Sequence, residues 1–394
     1  MNTQQLQPSR PSRLRPQDCR LEDLLAVLRD TTPAQDYPLA RRVEQGILVY
    51  EAADLVRAGS SAAGRESAYD ELSHALSQGP GIVVVEGAFD VGVLDRVTAA
   101  FQVLIDAQHG AGVEAGDHFA APGTNDRVWN ALEKLAVDDP RGFVDYYAND
   151  LVALAATAWL GPGYQVTSQI NVVNPGGVGQ TVHRDYHLGF QSPEVSATYP
   201  AHAHDLSPVL TLQGAVAHVD MPLASGPTLY LPHSQKYRLG YLAYWLPEFQ
   251  EYFRSHHVQL PLHMGDAVFF NPALFHAAGS NVSSSIRRMA NLLQISSAFG
   301  RAMESVDRER MLNAIYPILR QEKSAGRPDR DLDNVIAATA EGYPFPTNLD
   351  RDQPVDGMCP PSQADVVRAA LTSDASLDQL THSLQTLADA KRSH

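Results

Sequence analysis

The sequence predicts a mainly β core of the barrel or jelly-roll kind, with α-helical flanks at both ends. Two observations predict it. Between about residues 164 and 296 short extended segments follow one another, separated by turns rich in Gly and Pro, a texture that favours a barrel or jelly roll over a parallel sheet with crossover helices. Helical periodicity dominates before that stretch and returns after residue 300. The expected organisation is an N-terminal tail and helical extension over 1–78, a core over 79–300, and a C-terminal helical extension over 301–394. No internal repeat is visible.

Taken in order, residues 1 to about 20 are rich in Gln, Pro, Ser and Arg and read as a mobile tail. Helices are expected at Leu21–Leu28 and Ser67–Leu76, the second ended by Gly79-Pro80-Gly81. Ile82–Glu86 (IVVVE) is a buried strand by its β-branched run. Asp90 is placed to cap a helix over Val91–Ala107, and after a Gly-rich loop Phe143–Leu160 reads as a second helix. Strands follow at Tyr164–Val173, Val209–Val219, Thr228–Leu231, Val258–Leu262, Asp266–Asn271 and Arg288–Ser296. Tyr237–Phe253 interrupts them as a helical insertion over one end, with Tyr241, Tyr244 and Trp245 as lid candidates. Helices close the chain at Ser305–Glu322, Gln363–Leu371 and Leu377–Ala390.

Composition narrows the partners. Thirty Lys and Arg against 45 Asp and Glu leave a net charge of −15, which disfavours nucleic acid and anionic membranes. A few local Arg can still hold an anionic small molecule. Two cysteines, Cys19 and Cys359, near opposite ends give no disulfide framework and fit a reducing cytoplasm. The first residues lack the apolar core of a secretory signal, and no run approaches the ~18 apolar residues of a membrane span. The expectation is a cytoplasmic protein acting on a small molecule, without nucleic-acid or membrane partners; a homo-oligomer stays open.

The chemistry concentrates in Gln180–Gly189, QTVHRDYHLG. His183 and Asp185 sit one residue apart, so an extended backbone turns both to the same face. Two His and one carboxylate with positions left open is the ligand set of non-haem Fe(II) oxygenases. Downstream, HMGDAVFFNPALFHAAGSN delivers His276 past a strand and a turn. Eleven residues on comes Arg287, a guanidinium suited to a bidentate grip on a carboxylate. Arg288 is its neighbour, and on a strand only one of the two can face inward.

With these four elements in order, and with SGPTLYLPHSQK at 225–236, the sequence resembles the phytanoyl-CoA dioxygenase family of Fe(II)/2-oxoglutarate oxygenases. His233 stands where the family pattern has Gly. The resemblance covers roughly residues 80–300 and implies a double-stranded β-helix (jelly roll, cupin-like). It implies His183, Asp185 and His276 as iron ligands and catalytic residues, and Arg287 as anchor of the remote 2-oxoglutarate carboxylate. Asn171 and Thr228 join it as further co-substrate contacts. The implied reaction uses Fe(II), 2-oxoglutarate and O2, and releases succinate and CO2 while oxidising a small substrate, with a secondary-metabolite intermediate preferred. Halogenating relatives lack the carboxylate, so Asp185 favours hydroxylation or a related oxidation. Arg127, Trp129, His187 and Phe190 are the substrate-side candidates, His187 by alternation onto the face of His183. The remaining pairs His202/His204 and His256/His257 are expected in loop or surface roles. The competing expectation is a non-catalytic or hydrolytic cupin-like metal-binding protein.

Overall fold

The computed structural model describes residues 12–112, 125–354 and 357–394. Most of the expected tail, and residues 113–124 of the Gly-rich loop, lie outside the described residues.

Among the described residues ten strands order the molecule: β1 (Arg42–Glu44), β2 (Ile47–Glu51), β3 (Ile82–Glu86), β4 (Asn125–Val128), β5 (Gln165–Val173), β6 (Thr211–Ala217), β7 (Leu229–Leu231), β8 (Ala267–Phe270), β9 (Phe275–Ala277) and β10 (Arg288–Ser296). Eight of them form one sheet in the order β1-β2-β3-β8-β6-β10-β5-β4. Every pairing in it is antiparallel except β2 with β3. β7 and β9 pair across from it, with Tyr230 opposite His276, and His183 adds itself to the other edge of β9 through a bridge to His276. These two layers are the double-stranded β-helix. Helices nonetheless hold more residues than strands, so "mainly β" describes the core and not the whole chain.

One face of the large sheet packs on helices. Val166, Ile170 and Val172 of β5, Leu212 and Val216 of β6, and Met289, Leu293 and Ile295 of β10 point there, at every second position as the pleat requires. They meet Leu94, Val97 and Phe101 of helix Val91–Gly110 and Leu151, Val152 and Leu154 of helix Asp150–Leu160. Both helices start where the sequence supplies a cap. The Asp90 side chain accepts the Val93 N–H, and that of Asn149 accepts from Leu151 and Val152. Each fully buried Leu or Val on this face contributes roughly 1.5–3 kcal/mol.

Several expectations are corrected. The first 78 residues are not a purely helical approach, because β1 and β2 extend the large sheet. Gln45 and Gly46, both at positive φ, make the two-residue turn between them, the left-handed geometry that tight hairpins need. The expected helix over Phe143–Leu160 is two, Pro140–Tyr147 and Asp150–Leu160, and a further helix, Ala131–Asp138, precedes them. Val258–Leu262 is not a strand but makes single bridges, Val258 to Tyr230 and Leu262 to Met221. A further helix, Asp329–Thr339, lies between the helices expected at Ser305–Glu322 and Gln363–Leu371. The insertion is helical at Gly240–Ala243 and Pro247–His256, but Tyr241 and Tyr244 are buried in packing and are no lid; Trp245 alone of the three is exposed. His204 is buried, its Nε2 3.0 Å from the Ser196 carbonyl oxygen, and is no surface residue. Among the described residues no helix is long and apolar enough to cross a membrane.

Candidate metal and co-substrate site

The other face of β5, β6 and β10 turns inward and lines a cavity of about 150 Å³, room for on the order of ten water molecules. The pleat sets what it shows. Asn171 stands opposite Ala290 and Arg127 opposite Asn171, while Gln169 faces Leu292 and Gln213 faces Gln294. Cross-strand rows of side chains thus form the floor. The opposite wall comes from β7, β9 and the His183 segment.

His183, Asp185 and His276 converge there. Their candidate ligand atoms lie within 4.8 Å of one another. His276 Nε2 is 3.4 Å and His183 Nε2 3.8 Å from an oxygen of Asp185. Each imidazole is oriented from behind. Nδ1 of His183 is 2.9 Å from the Thr181 carbonyl oxygen and Nδ1 of His276 is 2.9 Å from that of Leu274. Bonds of that kind place the proton on Nδ1 and leave Nε2 as the ligand atom. The backbone bridge between the two residues fixes their spacing: His183 N–H donates to the His276 carbonyl at 2.9 Å and receives the return bond at 3.2 Å. Gln213 donates from Nε2 to the Asp185 carboxylate. Burial pushes the Asp185 carboxyl up, but His183, His276 and Gln213 outweigh it and hold the group well below the usual carboxylate range. A carboxylate and two imidazoles sharing one face are a donor set that fits Fe(II).

Of the two adjacent arginines, Arg288 and not Arg287 lines this cavity. Arg288 opens β10 opposite Val173 and shares its face with Ala290, Leu292 and Gln294. It is buried, and its Nη1 has no hydrogen-bond partner among the described residues. Burial pulls its pKa down to about 10, with Tyr230 opposing and Arg127 adding to the fall, which still leaves a cation at neutral pH. Arg287, one position earlier, points out of the barrel. Its guanidinium donates to Gln102, Asn174 and Asp126 at 3.1–3.2 Å, and its side chain is 45% exposed.

Asn171, Thr228, Arg127, Trp129 and Phe190 also line the cavity. The Asn171 Oδ1 is buried without a partner among the described residues. The Arg127 guanidinium lies 5.1 Å over the Trp129 ring and donates to Gln169 at 3.2 Å. His187 is not on the lining. Tyr186 and His187 both take positive φ and the chain turns into a short 3-10 helix, so the alternation that would have carried His187 to the face of His183 stops at Asp185. The sequence reading missed Gln213, Gln169, Gln294 and Tyr230. For Gln213 the signal was present: one amide in an otherwise apolar strand, VLTLQGAVAHV.

A family model described as phytanoyl-CoA dioxygenase matches residues 77–289, over half of the chain. Comparison with curated proteins finds no match. Among solved structures, the epimerase SnoN in complex with Fe3+, alpha ketoglutarate and nogalamycin RO is 20% identical, with a TM-score of 0.41 over 59% of this chain and 85% of that one. The carbocyclase SnoK from nogalamycin biosynthesis is 20% identical, at 0.41 over 61% and 86%. AviO1 from Streptomyces viridochromogenes Tue57 is 18% identical, at 0.42 over 60% and 97%. The family match decides the assignment: the chain belongs to the phytanoyl-CoA dioxygenase family, whose cofactors are Fe(II) and 2-oxoglutarate.

Proposed function

We propose that this member of the family is an Fe(II)/2-oxoglutarate-dependent dioxygenase, which hydroxylates or otherwise oxidises a small organic substrate with release of succinate and CO2. A secondary-metabolite intermediate is the preferred substrate class. One observation carries the reading. A three-residue facial donor set and a buried guanidinium with an unpartnered nitrogen open into the same cavity.

His183, Asp185 and His276 would hold Fe(II), which with 2-oxoglutarate and O2 supplies the oxidation of the substrate. Arg288 binds the remote carboxylate of 2-oxoglutarate with a charge-assisted, fork-shaped contact. This role moves to Arg288 from Arg287 because only Arg288 faces the cavity. Thr228 and Asn171, on the same lining, offer a hydroxyl and an amide to the co-substrate. Gln213 orients the Asp185 carboxylate, and the two backbone carbonyls keep both imidazoles facing inward. Met221, Leu262 and Phe270 form an apolar wall that limits the water reaching the reacting atoms. Arg127, Trp129 and Phe190 remain as substrate contacts.

The test is direct. Purified protein given Fe(II) and 2-oxoglutarate is expected to gain thermal stability by mass action, about 2.7 kcal/mol at a hundredfold excess over the dissociation constant. With a substrate it should release succinate, and His183→Ala and Asp185→Ala should bring that release to background. Full succinate release by either variant would refute the assignment. A chain stabilised by the metal but indifferent to 2-oxoglutarate would instead be a cupin-like metal-binding protein.

A further inference from the structure

Between the two ligands of the His183-x-Asp185 pair lies Arg184, which no step above uses. Its side chain points to the opposite side of the strand and is among the largest fully buried side chains described in the molecule, 2% exposed. No carboxylate pairs with it among the described residues. Its Nη2 donates to the carbonyl oxygens of Ser234 at 2.6 Å and Tyr237 at 2.9 Å. Its guanidinium lies between two rings, 5.2 Å from the centre of Tyr241 and 5.0 Å from that of Phe275. Gly240 makes the room: a Cβ there would stand 1.8 Å from the Arg184 Cζ.

Each of these contacts leads back to the donor set. Phe275 precedes the ligand His276. Ser234, whose carbonyl takes the guanidinium, accepts the Phe275 N–H on its hydroxyl at 2.8 Å. Tyr241, the other ring, donates its hydroxyl to the backbone carbonyl of Asp185 at 3.3 Å. The guanidinium is therefore a fastener between the segment bearing His183 and Asp185, the strand bearing His276, and the insertion that begins at Tyr237. A buried charge without a counter-ion is costly, and a hydrocarbon of that shape would fill the space without the cost.

We infer that Arg184 is a positioning residue for the metal site: it fixes the separation of the two ligand-bearing strands, and the helical insertion is the buttress it works against. This rests on the metal reading above. Removing groups that orient metal ligands typically costs 10- to 100-fold in metal affinity.

The experiment uses Co(II) alone as the probe, added to the full chain in its wild-type, Arg184→Met, Arg184→Lys and Gly240→Ala forms. Titrations are made at a temperature where circular dichroism shows each protein folded. The expected result is a 10- to 100-fold weaker Co(II) affinity and an altered Co(II) ligand-field absorption spectrum for Arg184→Met and Gly240→Ala. Arg184→Lys should be intermediate, since it keeps the charge and loses the fork. If Arg184→Met does not fold, the other two variants decide. Wild-type affinity and spectrum in the folded variants, with only the melting temperature lowered, would overturn the inference and leave the metal site standing. Failure of the wild-type protein to take Co(II) would overturn the metal reading and this inference together.

Discussion

The two faces of the large sheet are built from the same strands to opposite ends. On β10 the odd positions Met289, Leu293 and Ile295 enter the helix-packed core, while Arg288, Ala290 and Gln294 face the cavity. The core face carries polar groups too, and several of them are joined in one hydrogen-bonded series. Asn291 donates to the Tyr146 hydroxyl at 3.1 Å, that hydroxyl meets His218 Nε2 at 3.1 Å, and His218 Nδ1 lies 2.8 Å from Thr98 Oγ1. Of this chain only Asn291 Oδ1 is left over. The cavity face is unfinished: Arg288 Nη1, Asn171 Oδ1, Gln213 Oε1 and Gln294 Oε1 are buried without partners among the described residues. Unpaired buried polar atoms cost stability, so one face holds the fold and the other gives up part of that stability to hold a ligand.

Substitutions can separate the two. Leu212, fully buried on the core face, should lose about 2–5 kcal/mol of stability as Leu212→Ala, read from urea denaturation, with KM for 2-oxoglutarate unchanged. Arg288→Ala should do the reverse. Loss of a charged hydrogen-bonded contact worth roughly 1.5–3 kcal/mol corresponds to a rise in that KM of about 10- to 100-fold. Arg287→Ala, which breaks an exposed pair worth about 0–1 kcal/mol, should leave KM within about twofold. Equal effects of the two arginine variants would break the comparison.

Acid should expose the core face. Burial drives His218 down to about 3, below the ~6.5 of an unfolded histidine. In that window the unfolded chain binds the proton and the folded chain does not, so stability falls as pH drops from about 6.5 towards 3. The slope from this one group approaches roughly 1.4 kcal/mol per pH unit, and His218→Gln should flatten that part of a pH–stability curve. The smallest effect belongs to the cavity face. Gln294→Leu removes a buried acceptor that has no partner and should raise stability by about 1 kcal/mol, visible as a higher urea midpoint.

The sequence disclosed the half of this cavity that carries the candidate metal ligands better than the half that carries Arg288. His183 and Asp185 are legible because a spacing of two on an extended chain needs no knowledge of the partner strand. His276 lay in an ordered set of motifs. The choice between Arg287 and Arg288 depends on register, and a slip of one residue exchanges the two faces. Only the pairing of Arg288 with Val173 decides it. His187 was misplaced for a related reason, since two successive positive φ values end the strand in a way its residues do not announce. The strand Asn125–Val128 was missed because NDRV is polar and carries no apolar alternation. β1 and β2 were missed because their turn is Gln-Gly, not the Asn-Gly or Asp-Gly that marks a hairpin most strongly.

That hairpin has a consequence for how the protein stays dispersed. Its second strand hydrogen-bonds along β3, whose sequence IVVVE is short, apolar and uncharged up to its last residue. Without β1 and β2, β3 would be the outermost strand, with a free row of amides and carbonyls ready to recruit another chain. The added strands move the sheet's rim to β1, where Arg42 and Glu44 stand, Arg42 also paired with Glu86. Charged side chains on a rim are a recognised guard against edge-to-edge assembly. The family-matched segment begins at residue 77, so a fragment cut there would keep every metal-binding residue and lose its protection from aggregation.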